Sequence, residues 1–432
     1  MSLTGLVGRA VAAIGAGAIL LRRWDGKTPE QARGSAPKIP DAKEQSVPTL
    51  KMPTAKGWEG DHTPVAASGL KVNAFARGLD HPRQIYTLPN GDVLVAESCG
   101  LKGDIKSPFD FAQYATMKRA RAVGESANRI TLLRDADGDG VAEIREDFLT
   151  GLSQPYGMAL VGSTLYVGNT DGVVAFPYEE GQTKITAKGR QISHYETGGH
   201  WTRNLIVSAD QTKLYVAVGS LGNIDENGMA KEEGRAAIHE IDLATETTRI
   251  FAGGLRNPVG MAWGPDRETL WTVVNERDGL GDETPPDYLT SVQDGGFYGW
   301  PFCYWDRIVD DRVKQDSALV ARAITPDFAL GGHTASLGLC WVPEGVLPGM
   351  GTGMAIGQHG SWNRSVLSGY KLAFVPFADG KPAGPLQDVL TGFLSPDEKH
   401  AYGRPVGVAV APDNALLMAD DVGDVIWRVS PA

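Results

Sequence analysis

The feature that most constrains the fold of this chain is a unit that recurs six times between residues 81 and 421. Each unit has a turn, a short apolar strand, a turn that often contains Pro, Asp, Asn or Gly, and a second apolar strand. Equivalent positions are Gln84, Gly157, Asn204, Gly260, Gly338 and Gly407. Units spaced on the order of 65 residues apart are typical of a repeat architecture.

A hairpin of this kind cannot bury both of its faces, whereas sheets arranged radially about an axis protect their edges. We therefore predict an all-β fold, a six-bladed β-propeller over residues 69–432, closed by pairing of residues 70–75 with 425–429. Residues just before the first strand of each unit should meet at one mouth of the central channel, where propellers place ligands. These residues are His200, Arg256, Asn257, His333 and Arg404.

The N-terminal residues 1–24 contain an uninterrupted apolar run that ends at Arg22 and Arg23. Its length suits a signal peptide or a membrane anchor, and no Ala-x-Ala cleavage site follows it. Arg9 favours export whereas Arg22 and Arg23 oppose it, so the sequence leaves the orientation open. Residues 25–68 are polar and rich in proline, which predicts a flexible linker.

Charge and cysteine content limit the possible partners. The 41 Lys and Arg residues against 52 Asp and Glu give a formal net charge of −11, which argues against a nucleic-acid ligand. The three cysteines, Cys99, Cys303 and Cys340, permit one disulfide at most and form no CxxCH haem motif. We favour free thiols over a bridge between residues 303 and 340.

A separate acidic motif, DADGDGVAEIRE at residues 135–146, matches the spacing of a calcium-binding loop. Its ligand positions would be Asp135, Asp137, Asp139 and Glu146. The flanking segments RITLLR and FLTGL indicate strands rather than the helices of an EF-hand. A hairpin loop with or without calcium is therefore an equal alternative.

Several motifs follow one another in the order GGHWTRNLIVSADQTKLYVAVGS, GLRNPVGMAW, NERDGLGDE, GGFYGWP, HTASLGL, GQHGSWNRS and YGRPVGVAVAPD. Together they resemble the soluble glucose/sorbosone dehydrogenase family over residues 69–431, and the sorbosone branch in particular. The resemblance implies a six-bladed quinoprotein that binds pyrroloquinoline quinone and calcium.

The resemblance also implies roles for individual residues. Oxidation of an aldose or an aldehyde hydrate needs a base for the hydroxyl proton, and neutral imidazole suits that task. His200 is the candidate base, Arg256 would stabilise charge on the quinone oxygen, and Asn257 would orient substrate or cofactor. The carboxylates of the cofactor need basic partners, for which the sequence offers Arg256, His359, Arg364 and Arg404.

The loop Asn275 to Glu283 is rich in oxygen ligands, which calcium prefers. By the resemblance, the backbone carbonyls of Arg277 and Asp278, with Glu276 nearby, would hold the calcium next to the cofactor. A second calcium would use Asp282, Glu283 and the carbonyl of Tyr298.

Three functions remain open at this point. The first is a calcium- and quinone-dependent dehydrogenase of sugars or sugar aldehydes that passes electrons to an external acceptor. The second is a calcium-dependent lactonase, with Glu97, Asn169 and Asn275 at strand ends, and the third is a non-catalytic binding propeller. For the dehydrogenase we expect a periplasmic location and membrane association through the N-terminus.

Overall fold

The computed structural model of the chain describes residues 30–45, 49–101 and 108–432. The described strands form six sheets of four or more strands, each of which is one blade of a β-propeller. This architecture confirms the all-β, six-bladed prediction. Each of the six repeat positions falls within, or directly before, the innermost strand of a blade.

The first three blades consist of four consecutive strands each. In every one of them the strands follow chain order from the axis outward. Blade 1 contains Pro82–Thr87, Val93–Glu97, Arg129–Arg134 and Ile144–Leu149; blade 2 contains Met158–Val161, Thr164–Asn169, Gly172–Pro177 and Arg190–His194; blade 3 contains Leu205–Val207, Lys213–Val218, Ala237–Asp242 and Thr248–Gly253.

The other three blades include longer loops or a strand from the N-terminal side. Blade 4 contains Asn257–Trp263, Leu270–Asn275, Pro286–Val292 and Phe328–Gly332; blade 5 contains Ser336–Val342, Gly353–Gln358, Lys371–Ala378 and Gln387–Thr391; blade 6 contains Pro405–Val410, Leu416–Asp420, Val425–Pro431 and Leu70–Arg77. Val65–Ala66 adds to the outer edge of blade 5, and Lys381–Pro382 pairs with its third strand. Short pairs form between Thr54–Ala55 and His400–Ala401, and between Cys303–Tyr304 and Ile308–Val309.

The repeated glycines explain how the inner strands come together at the axis. A Cβ on Gly407 would lie 2.5 Å from the carbonyl oxygen of Arg83, and one on Gly260 would lie 2.7 Å from the amide nitrogen of Leu339. Both clashes are with the backbone of the next blade, which cannot move aside. The glycines of the repeat therefore allow neighbouring blades to approach closely.

The ring closes as the sequence predicts. Strand Leu70–Arg77 pairs antiparallel with Val425–Pro431, with Val72 opposite Val429. Trp427 of the closing strand is fully buried in the core between blades 5 and 6. The two ends of the propeller thus share one blade, which ties the first strand to the last.

Helices are few in the described ranges. The α-helices are Pro108–Arg119, in the loop between the second and third strands of blade 1, and Ser317–Arg322, which is capped by the Asp316 side chain. Turns of 3-10 helix occur at Glu30–Ala32 and Met229–Lys231. The helix Pro108–Arg119 was not predicted, because apolar residues do not concentrate on one of its faces.

Residues 30–45 and 49–68, which the sequence predicted to be part of a flexible linker, lie against the propeller in the described structure. The amide of Lys43 donates to Leu280, and the amide of Thr54 donates to Lys399. Trp58 packs against Phe393 and Trp427. The polar, proline-rich composition suggested that this segment could not offset the entropy cost of becoming ordered. Backbone hydrogen bonds and aromatic packing on the propeller offset that cost.

The predicted anchor or signal, residues 1–24, lies outside the described residues. Within the described ranges, no helix is long and apolar enough to cross a bilayer. The three cysteines are free thiols, as favoured from the sequence.

Candidate active site

The predicted channel-mouth residues come together in one cavity of about 360 Å³. His200, Arg256, Asn257, His333 and Arg404 all line it, as the repeat alignment predicted. Further residues of the lining come from the strand ends and loops of blades 4 and 5: Asn275, Glu276, Asp278, Asp287, His359, Gly360, Trp362 and Asn363.

His200 precedes the first strand of blade 3 and is held in one tautomer by Ser220. Its Nδ1 lies 2.8 Å from the Ser220 carbonyl oxygen and 3.1 Å from Ser220 Oγ, whose own proton is donated to Gly222. Both Ser220 atoms therefore accept, so Nδ1 bears the proton and Nε2 keeps its lone pair. Burial, reinforced by the charge of Arg256, lowers the pKa of His200 to about 3, so the imidazole is neutral at pH 7.

Arg256 is buried and fixed on several sides. Its Nε and Nη2 donate to the backbone and side-chain oxygens of Asn223, each at 3.1 Å, and its Nη1 donates to the carbonyl of Glu276 at 2.8 Å. The nearest carboxylate is that of Asp278, at 3.9 Å. The guanidinium is therefore held rigidly but only weakly neutralised.

Asn223 is a site residue that the sequence did not reveal. Besides holding Arg256, its Oδ1 accepts from the amide of Asp278 and its Nδ2 donates to the Asp278 carbonyl. The indole of Trp300 in turn donates to the Asn223 carbonyl. Asn223 lies in the long loop between the second and third strands of blade 3, outside every repeated motif.

Arg404 supplies a second buried guanidinium. It donates to the carbonyls of His359, at 2.9 Å, and Gly360, at 2.8 Å. Among the described residues, no carboxylate lies within 4.0 Å of the Arg404 guanidinium. Its partners are the two carbonyls and the ring of Tyr370. A cavity with Arg256 and Arg404 in its wall therefore favours an anionic ligand.

His359 lies in the cavity, but it does not supply the positive charge that the family resemblance implied. Its Nε2 is 2.8 Å from the carboxylate of Asp421, which also pairs with Arg83. Burial and the nearby charge of Arg404 lower the pKa of His359 to about 3. The side chain is thus a neutral hydrogen-bonding group at pH 7.

Arg364 does not line the cavity, which corrects its prediction as a cofactor ligand. It is fully buried, with Nη2 2.6 Å from Glu283 and Nη1 donating to the carbonyls of Asp282 and Gly332. Its charge is therefore used within the protein, where it pairs with Glu283.

The same guanidinium contacts two residues that were predicted to hold a second calcium, Asp282 and Glu283. Glu283 binds Arg364, and Asp282 accepts from the amide of Ser365 at 2.9 Å. The amide of Tyr298 donates to Gly253 and its hydroxyl donates to Ser291, and both bonds leave its carbonyl oxygen, the predicted ligand, unaffected. The Arg364 guanidinium thus neutralises the Glu283 carboxylate, and the second calcium stays a prediction.

The loop 275–283 offers oxygen atoms to a cation, among them one on the predicted residue Glu276. The Asp278 carbonyl already accepts from Asn223 and Arg312, both at 3.1 Å. The Arg277 side chain points away from the cavity and is buried between Glu276 and Asp310. Within the described structure, Glu276 Oε1 and Asn363 Oδ1 are buried without a hydrogen-bond donor. Each is an acceptor that a metal ion could satisfy, and side-chain oxygens are ligands that calcium prefers.

Three further groups contribute to the charge of this wall. Burial would raise the pKa of Asp278, but hydrogen bonding to His333 and the charge of Arg256 outweigh burial and lower it. His333 is likewise buried, yet the Asp278 carboxylate raises its pKa. Burial raises the pKa of Asp287 to about 6.

The acidic loop 135–146 is a hairpin connection between the third and fourth strands of blade 1. Asp135, Asp137, Asp139 and Glu143 bring their oxygen atoms within 4.8 Å of one another and could hold a metal ion. Glu146, the predicted ligand, instead lies in the fourth strand opposite Leu132. Strand geometry therefore replaces Glu146 by Glu143, and none of these residues lines the cavity.

Comparisons with known proteins agree with this description. A family model described as TrAA12-like matches residues 122–432. A pyrroloquinoline quinone-dependent pyranose dehydrogenase from Coprinopsis cinerea is 26% identical over 428 residues, covering 83% of this chain and 53% of that protein. A pyrroloquinoline quinone-dependent sugar dehydrogenase from Hypocrea jecorina is 24% identical over 271 residues, covering 56% of this chain and 57% of that protein. The chain spans about half the length of these two fungal relatives.

A solved structure of a Trichoderma reesei enzyme of Carbohydrate-Active Enzymes Family AA12 has the same fold. Its TM-score is 0.70 at 20% identity, with 90% of this chain and 100% of that chain covered.

Proposed function

Because this chain belongs to the TrAA12-like family, we propose that it is a calcium- and pyrroloquinoline-quinone-dependent dehydrogenase of an aldose or a sorbosone-like sugar aldehyde. The observation that supports this most is the composition of one cavity. It combines a neutral imidazole with two buried guanidinium groups, from His200, Arg256 and Arg404.

His200 is the general base of the proposed reaction. Since Nδ1 is bound to Ser220, the lone pair of Nε2 is the group available to accept the hydroxyl proton of the substrate or its hydrate. The low pKa keeps this group unprotonated at neutral pH, and Ser220 fixes the plane of the ring. Because His200 is already neutral, Nε2 can accept the substrate proton directly.

Arg256 and Arg404 are the residues that would hold the cofactor carboxylates and its oxygen atoms. When bound, the quinone supplies a two-electron acceptor for the hydride that leaves the substrate carbon. Asn223 fixes the Arg256 guanidinium before any ligand enters, so little reorganisation is needed when negative charge develops beside it. Arg404 also fixes the backbone of His359 and Gly360 in the cavity wall.

Glu276 and Asn363 would hold calcium, with Asp278 supplying further negative charge. The orphaned oxygens Glu276 Oε1 and Asn363 Oδ1 are the acceptors that fit it. Asn363 also donates to the Asp278 carboxylate at 2.7 Å, which ties the two sides of the site together. A cation here would reduce the cost of burying these oxygens and would attract an anionic cofactor.

The lactonase alternative receives less support from the geometry. Of its three proposed ligands, only Asn275 lines the cavity. Glu97 is fully buried in blade 1, where Arg129 holds it at 2.9 Å. A metal site made of all three side chains does not form in the described structure.

Location and electron transfer form the remaining part of the proposal. The apolar run within residues 1–24 supports export to the periplasm, with membrane association through that segment. With no CxxCH motif in the sequence, electrons would pass to an external acceptor such as a quinone or a cytochrome.

The test is reconstitution of the purified full chain. Metal-free protein receives calcium and pyrroloquinoline quinone, alone and together, and reduction of a redox dye is followed with glucose, other aldoses and sugar aldehydes. We expect turnover only with both additions, and chelation should abolish it. Hydrolysis of a sugar lactone that needs calcium but not the quinone would contradict the proposal and favour the lactonase.

A further inference from the structure

The cavity has a charged interior and an apolar rim. Its interior is formed by buried polar side chains that include Arg256, Asn257 and Arg404. Leu50, Met52, Met117 and Trp362 line the same cavity and retain exposed surface. Leu50 is 52% exposed and the other three side chains are partly buried, so all four present surface to the cavity.

Leu50 and Met52 belong to the N-terminal segment, which is fixed to the propeller at this point. The amide of Lys51 donates to the Trp362 carbonyl at 2.9 Å, and Lys51 Nζ donates to the Ser365 carbonyl at 2.9 Å and to Glu398. Lys51 therefore anchors the backbone between the two apolar side chains. They form a fixed part of the wall.

Met117 comes from the opposite side, near the end of the helix Pro108–Arg119. Arg119 Nη2 lies 3.4 Å from the carbonyl oxygen of Met52, so the helix and the N-terminal segment meet at the rim. Residues from the N-terminal segment, blade 1 and blade 5 thus share one border, which is apolar apart from the Thr116 hydroxyl and the indole N–H of Trp362.

We propose that this border selects substrates whose non-reacting end is apolar. This inference rests on the proposed function and narrows its substrate class to sugars or sugar aldehydes that carry an apolar group at that end. The side chains of Leu50, Met52 and Met117 have no N–H or O–H to replace the water that hydroxyl groups would lose on entry. An alkyl end loses no hydrogen bonds there and gains from burial.

The test uses the cofactor-loaded full chain with propanal, pentanal, heptanal and glucose. We expect kcat/KM to rise about two- to fourfold for each added CH₂ along the aldehyde series, as burial of a methylene predicts. In the double variant Leu50→Ser/Met52→Ser this dependence on chain length should flatten. Met229→Ser, which replaces an exposed methionine that does not line the cavity, is the matched control.

Binding is measured separately, by calorimetry with butanamide, hexanamide and octanamide. Affinity should rise with chain length in the original protein and in Met229→Ser, and should lose that trend in the double variant. A flat trend in the original protein, or an unchanged trend in the double variant, refutes the apolar border. If no substrate turns over although the quinone binds, the proposed function fails, and the calorimetry still decides the role of the rim.

Discussion

Gly219 separates two residues of the proposed mechanism, and its replacement by alanine tests their placement. It follows the second strand of blade 3, and a Cβ there would lie 2.5 Å from His200 Cβ and closer still to Asn257 Oδ1. Carbon atoms in contact prefer about 3.5–4.0 Å, so the imidazole would have to move by about 1 Å. The backbone of Gly219 is not left-handed, so alanine adds no conformational strain.

A displacement of that size in a catalytic group costs roughly 10²-fold in turnover. Overpacking should also cost about 1–3 kcal/mol of folding free energy. The assay is dye reduction by the reconstituted Gly219→Ala protein, together with its thermal midpoint. Gly253→Ala is the matched control, because a Cβ at Gly253 meets no atom within 4 Å. Unchanged kcat in Gly219→Ala would refute the importance of this geometry.

Three other predictions follow from the contacts of single side chains. Arg256→Lys removes the planar donors that bind Asn223 and Glu276, so kcat/KM should fall at least about tenfold. The control is Arg190→Lys at an exposed arginine, which should leave kcat/KM unchanged. Equal kinetics for the two variants would show that Arg256 has no role in the site. After chelation, added calcium should restore less activity in Asp278→Ala than in the original protein, whereas recovery in Asp137→Ala should be unchanged. The reverse result would place the functional metal in the 135–146 hairpin. Trp58→Ala removes edge-on packing against Phe393 and Trp427 and the hydrogen bond of the indole to Asp420. The free energy of unfolding should therefore fall by about 2 kcal/mol, which thermal unfolding measures. An unchanged thermal midpoint would mean that the N-terminal segment does not stabilise the propeller.

The fold was predictable because the same turn and strand motif recurs six times in the sequence. The glycine and turn positions recur where inner strands must meet, and Gly260 and Gly407 show the steric reason. The resemblance to soluble glucose/sorbosone dehydrogenases is also confirmed, at the level of distant relatives. Residues adjacent to the inner strands, such as His200 and Arg256, followed from the same alignment.

Contacts between distant segments were not predictable in this way. Arg364 and Glu283 are far apart in sequence, and neither motif reveals that they neutralise each other. The N-terminal segment has no repeat and little apolar character, so its docking through Lys51 and Trp58 depends on partners over 300 residues away. Asn223 lies in a loop without a motif, and only the fold brings it to Arg256.

The measurement that tests the central claim most directly is a paired titration of His200→Gln. Binding of pyrroloquinoline quinone, in the presence of calcium, is followed by quenching of tryptophan fluorescence, and dye reduction is measured on the same samples. Exposed His62→Gln is the matched control. If His200 is the base, cofactor affinity should stay within about threefold of the original while turnover falls on the order of a hundredfold or more. Unchanged turnover, or a loss of affinity as large as the loss of turnover, would contradict the assignment of His200 as the base.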